Sequence, residues 1–116
     1  MRDEMKVSLD SKGSVSIIHL TGEITTFSEE KILEVYQLAL NRNAKKILLD
    51  FCNVNYINSA GIAILIGLVT SSKKNNINLY ISGLTPHFKK IFKMVGLTQY
   101  TKIFDDKDSA LNQLNQ

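Results

Sequence analysis

Hydrophobic and polar positions alternate at the start of the chain. Met5, Val7 and Leu9 are separated by polar residues, which is the period of a half-buried strand. Asp10-Ser11-Lys12-Gly13 reads as a turn and Val15 to Leu20 as a second strand, so the pair predicts an antiparallel hairpin. Thr21-Gly22-Glu23 breaks the pattern, and Thr26-Phe27-Ser28-Glu29 opens a helix. Thr26 and Glu29 match a capping box, with Ser28 as the alternative cap. Ile32, Val35, Tyr36, Ala39 and Leu40 recur at helical spacing and predict one buried stripe, which Asn41-Arg42-Asn43 ends.

The run from Lys46 to Phe51 is short and almost wholly apolar, as expected of a central strand covered on both faces. Cys52 to Ile57 reads as a loop, and a second helix runs from about Ser59 to Lys74. Asn78 to Ser82 is the next strand. Thr85 then caps a helix with Pro86 in its first position, where a missing N–H costs nothing. Phe88, Ile91, Phe92 and Val95 form its buried stripe, and Gly96 is placed to end it. Lys102-Ile103-Phe104 suits a short last strand. Asp105 or Asp108 caps a final helix carrying Ala110, Leu111 and Leu114. Strands and helices alternate, so the expected fold class is a single α/β domain over residues 1–116. Right-handed crossovers imply a mixed, mostly parallel sheet with an N-terminal antiparallel hairpin, packed against about four helices.

Composition narrows the function. The chain has 116 residues, is 44% hydrophobic and 22% charged, and carries a formal charge of +3, which suits one folded domain with an ordinary surface. Lys73, Lys74, Lys89, Lys90 and Lys93 read as a solvated face rather than a nucleic-acid stripe, since no aromatic stacking partners interleave them. Cys52, the only cysteine, cannot build a disulfide framework and reads as a buried small hydrophobe in a reducing compartment. The start of the chain lacks the apolar run of a signal peptide, and Ile62 to Val69 is too short to span a bilayer. The cytoplasm is therefore expected, with neither a membrane nor a nucleic acid as direct partner. His19 and His87 stand outside any spaced cluster of ligand residues, so neither a metal nor a cofactor is expected. No G-x-G-x-x-G, Walker loop or nucleophile elbow occurs, and an enzyme is not expected.

The segment from Phe51 to Ile62 joins a buried strand to an unusually apolar helix. Asn58 is a good N-cap, which puts Ser59 in the first helical turn. At 100° per residue, Ile62, Leu65, Ile66 and Val69 fall on the expected core side. Ala60, Ala63, Gly67, Thr70 and Ser71 fall opposite, with Ile64 at the margin. Two readings are open: an ordinary capped helix whose outer face is small, or a flat docking surface with a modifiable hydroxyl at the positive end of a helix.

The chain resembles the STAS family, in particular its anti-sigma factor antagonists. Leu20-Thr21-Gly22-Glu23-Ile24 is similar to the family's L-x-G-E-[LI]. Leu48-Leu49-Asp50-Phe51, with Asn58-Ser59-Ala60-Gly61-Ile62 after it, is similar to its central block. The Leu79-Tyr80-Ile81 strand and the helix ending in Val95-Gly96-Leu97 follow in the family's order. The resemblance implies a partner-switching regulator of sigma-factor-dependent transcription. Ser59 would be phosphorylated by an anti-sigma factor serine kinase. The unphosphorylated form would bind that kinase, and a PP2C-type phosphatase would reset the switch. The implied partner surface is Asn58, Ser59, Ala60, Ala63, Ile64, Gly67 and Ser71. The family usually has Asp before the serine and often Asp after G-E-[LI]; here Asn58 and Thr25 stand in those places. The alternative is an unphosphorylated STAS-like structural or regulatory subunit of a transport complex.

Overall fold

The computed structural model describes residues 5–116. Strand β1 (Lys6–Lys12) turns back at Gly13-Ser14 into β2 (Val15–Ile24), pairing Lys12 with Val15 and Lys6 with Thr21. A 3-10 turn (Thr26–Ser28) leads into α1 (Glu29–Asn41). Then follow β3 (Lys46–Ile57), α2 (Ser59–Lys74), β4 (Asn78–Ser82) and α3 (Pro86–Met94). A second 3-10 turn (Leu97–Gln99), β5 (Lys102–Phe104) and α4 (Lys107–Leu114) complete the chain. The five strands lie in the order β1-β2-β3-β4-β5, antiparallel at the first pair and parallel thereafter. The expected single α/β domain with its mixed sheet and four helices is what forms.

Right-handed crossovers that always step the same way place their helices on one face. Ile32, Tyr36 and Ala39 of α1, Leu65 and Leu68 of α2, and Phe88 and Phe92 of α3 accordingly share one core with Ile18, Leu20, Ile47, Leu49 and Phe51 of the sheet. The Phe51 and Phe92 rings meet edge to face, 5.8 Å between centroids. Helix α4 covers part of the other face, where Ala110, Leu111 and Leu114 pack on Val15, Ile17, Leu48 and Phe104.

Several boundaries differ from expectation. Cys52 to Ile57 is strand, not loop. The β2–β3 register shifts between His19 and Thr21 and again between Gly22 and Glu23, and each shift gives β3 one extra residue. Two bulges make Phe51, Val54 and Ile57 the inward positions, a spacing of three that hides a strand from a search for alternation. The first bulge also leaves Cys52 exposed rather than buried. Its thiol pKa is pushed up by partial burial first and then by Asp50.

The turn before α1 is capped by Thr25, not Thr26: the Thr25 hydroxyl accepts from Phe27 N–H at 3.2 Å, and Thr25 N–H donates to Ser28 Oγ at 3.0 Å. Asp106, between the two expected candidates, caps α4 by accepting from Ser109 N–H at 2.8 Å. Val95 is exposed, because α3 stops before it and Gly96 turns the chain away at φ +84°.

Candidate functional site

Helix α2 starts where β3 leaves the sheet. Asn58 has extended backbone, its Oδ1 accepts from Gly61 N–H at 2.8 Å, and its own N–H donates to Ile24 O at 3.2 Å. These bonds tie the first turn of α2 to the end of β2. Gly61 permits that closeness: a Cβ there would collide with Ile24 O and lie 3.0 Å from Ile57 Cγ2. The glycine of the Asn-Ser-Ala-Gly run is thus required by packing against a backbone carbonyl.

Ser59 takes the first helical position and is exposed. In a first turn the N–H groups of Ser59 and Ala60 have no intrahelical acceptor, and they stand at the positive end of the helix dipole. A negative charge on the Ser59 oxygen would meet both without rearranging the fold.

The face of α2 beside Ser59 is built differently from the expected one. Ile64 is only 7% exposed and packs inward with Leu65, Leu68 and Val69, whereas Ile66 is 41% exposed. Ile62 is half-buried. A helix apolar nearly all the way round carries little signal about which stripe meets the sheet. The expected rotation was therefore off by part of a turn: Ile64 is mostly buried in the core, and what remains exposed of it lines the groove beside Ala60 and Ala63.

Ala63 and Gly67 are exposed, and a Cβ on Gly67 would meet nothing within 4 Å. Ala60 is half-buried and, with Ala63, Ile64, Thr26 and Glu29, lines a shallow groove between α2 and the turn before α1. Ser71 is half-buried near the far end of α2, where its Oγ and carbonyl both accept from the Asn75 amide at 3.2 and 3.0 Å.

Two neighbours were missed in the sequence. Phe27 is 84% exposed beside groove residue Thr26, and Tyr56 is 49% exposed three positions before Ser59. A large aromatic in a capping turn was the signal available for Phe27. Thr25 is buried, with its hydroxyl engaged in the cap, so it shapes the turn that presents Phe27. His87 and Cys52 do not line this groove, and no helix among the described residues is long and apolar enough to cross a membrane.

A five-stranded mixed sheet with α2 presenting Ser59 at its start is the arrangement of the STAS domain, and the chain belongs to the STAS domain family, which it matches over residues 6–110. It is similar to the anti-sigma F factor antagonist of Paenibacillus polymyxa, 19% identical over 111 residues that cover 95% of each chain. The solved structure of an anti-sigma factor antagonist from Mycobacterium paratuberculosis matches with a TM-score of 0.83 at 16% identity, over 97% of this chain and 96% of that one. The Bacillus cell fate determinant SpoIIAA in its phosphorylated form matches with a TM-score of 0.72 at 18% identity, over 94% of this chain and 99% of that one.

Proposed function

We propose that the chain is an anti-sigma factor antagonist that works by partner switching and is not itself an enzyme. Unphosphorylated, it binds an anti-sigma factor serine kinase through Ser59, Ala60, Ala63 and Gly67. Phosphorylation of Ser59 releases it, and a PP2C-type phosphatase restores the binding form. The observation that carries this reading is the exposed Ser59 hydroxyl at the first position of α2, beside an outward face of Ala63 and Gly67.

A phosphoserine adds roughly −1.5 to −2 charges at pH 7. At a helix N-terminus that charge is tolerated by the fold. Its cost falls on the complex, where a phosphate at the edge of a close-packed interface must be desolvated or displaced. The relatives' shared description as anti-sigma factor antagonists supports the reading.

The test incubates the chain with the genomically adjacent kinase and ATP and locates the modification by mass spectrometry. Ser59→Ala abolishes modification and keeps binding. Ser59→Asp weakens binding about tenfold, or ~1.4 kcal/mol, with little change in Tm. Phosphorylation elsewhere, or equal binding by the two variants, overturns the switch.

A further inference from the structure

Strands β3, β4 and β5 all begin at one end of the molecule, where α1, α2 and α3 finish. Val15, Lys46 and Asn78 lie abreast there, next to the hairpin turn. A helix of 16 residues separates this end from Ser59, a distance of about 24 Å at 1.5 Å per residue.

Basic residues outnumber acids at this end. Arg42 and Lys45 line one concavity with Ser14 of the hairpin, in which Asp10 is the acid. Lys73 and Lys74 close α2, Lys93 closes α3 and Lys102 opens β5. Lys46 is already engaged, donating to Leu114 O at 2.6 Å. The opposite end is mixed: Glu29, Glu30, Asp106 and Asp108 stand there with Lys31, Lys89, Lys90 and Lys107.

Helix dipoles explain the lysines of the last turns. Lys102 is engaged over the Phe104 ring, 4.9 Å from its centre, but neither effect explains Lys45, which stands just before β3, nor the apolar side chains in the same surface. Met94 is 83% exposed, Val95 44% and Tyr100 59%. The Lys73 ammonium stands 4.6 Å from the centre of the Tyr100 ring, so the end of α2 and this apolar group form one surface.

We propose that this end of the domain is a peripheral docking surface for an anionic lipid bilayer. Protruding aliphatic tips and a tyrosine with Lys73 over its ring, at an end rich in lysines, match the composition of an interfacial membrane contact. Met94 and Val95 enter the headgroup region, Tyr100 lies level with it, and the lysine stems follow while their ammonium groups meet lipid phosphates and carboxylates. Duplex nucleic acid offers phosphates but no apolar layer for Met94. An acidic protein would need a shaped pocket for it. The contact lies against the bilayer and leaves Ser59, at the other end of α2, open to its own partner.

The experiment is co-sedimentation of the full chain with phosphatidylcholine vesicles, with or without phosphatidylserine. Binding is expected only with phosphatidylserine and should fall as salt rises. Lys73→Glu and Lys45→Glu each lower partitioning about fivefold or more, the factor that ~1 kcal/mol per basic residue corresponds to. Met94→Asp lowers it comparably with Tm unchanged. Failure to bind phosphatidylserine vesicles overturns the proposal. So does wild-type binding by Met94→Asp, or equal retention on duplex DNA or polyglutamate, since either shows a surface that takes any polyanion by charge alone.

Discussion

The Nδ1 of His19 lies 2.9 Å from Oδ2 of Asp50, joining β2 to β3 at the point where their register shifts. Asp50 is only 3% exposed, and its Oδ1 accepts from Cys52 N–H at 3.1 Å, so the carboxylate holds the first bulge of β3 in place. Removing the imidazole leaves a buried carboxylate oxygen without its partner. His19→Leu is expected to cost about 1–3 kcal/mol in denaturant unfolding. The double variant His19→Leu/Asp50→Leu should cost less than the sum of the two single changes. An additive result would show that the pair does not interact.

The two glycines of α2 should respond in opposite directions to the same substitution. Gly61→Ala drives a methyl into Ile24 O. It must push α2 off the end of β2, with a loss of about 2 kcal/mol or more. Gly67→Ala meets open space and should stabilise by about 0.5–1 kcal/mol through helix propensity. Thermal unfolding of both variants checks the placement of the helix.

Partner binding should depend on the exposed face of α2 and on the turn before α1. Ala63→Arg puts a long charged side chain on an exposed position of that face and should weaken kinase binding at least tenfold, with Tm nearly unchanged. Phe27→Ala removes an aromatic that is 84% exposed, so stability should hold within about 0.5 kcal/mol, while a partner that covers the ring loses affinity. Titration calorimetry against the kinase reads both. A collapse in Tm for Ala63→Arg would mean that this face is core.

Acid should loosen α4 before the rest of the domain. The Asp106 carboxyl titrates below its ordinary range, chiefly because it accepts from Ser109 N–H. A group whose folded-state pKa is lowered contributes stability above its unfolded value and loses it as pH falls through the folded one. Protection of the α4 amides against hydrogen exchange should therefore drop as pH falls below the ordinary carboxylate range. Asp106→Asn, which caps as well without titrating, should flatten that dependence.

Caps and periodicities were legible in the sequence wherever the decision is local. Asn58 before α2, Thr85-Pro86 before α3 and the Ala110-Leu111-Leu114 stripe of α4 were read correctly, because a cap depends on residues within one turn and a stripe on the helical repeat alone. The run Asn58-Ser59-Ala60-Gly61 also marked the start of the candidate site. What the packing of distant segments decides was out of reach. The last half of β3 looked like a loop because its bulges are set by pairing with β2, thirty residues away in the chain, and a bulge erases the alternation by which a strand is recognised. Which side of α2 meets the sheet turned on the approach of Gly61 to Ile24 O, a contact invisible to a helix that is apolar almost all round. Only the folded chain could send Ile64 inward and Ile66 out, because the sheet, not the helix's own pattern, chooses the buried stripe.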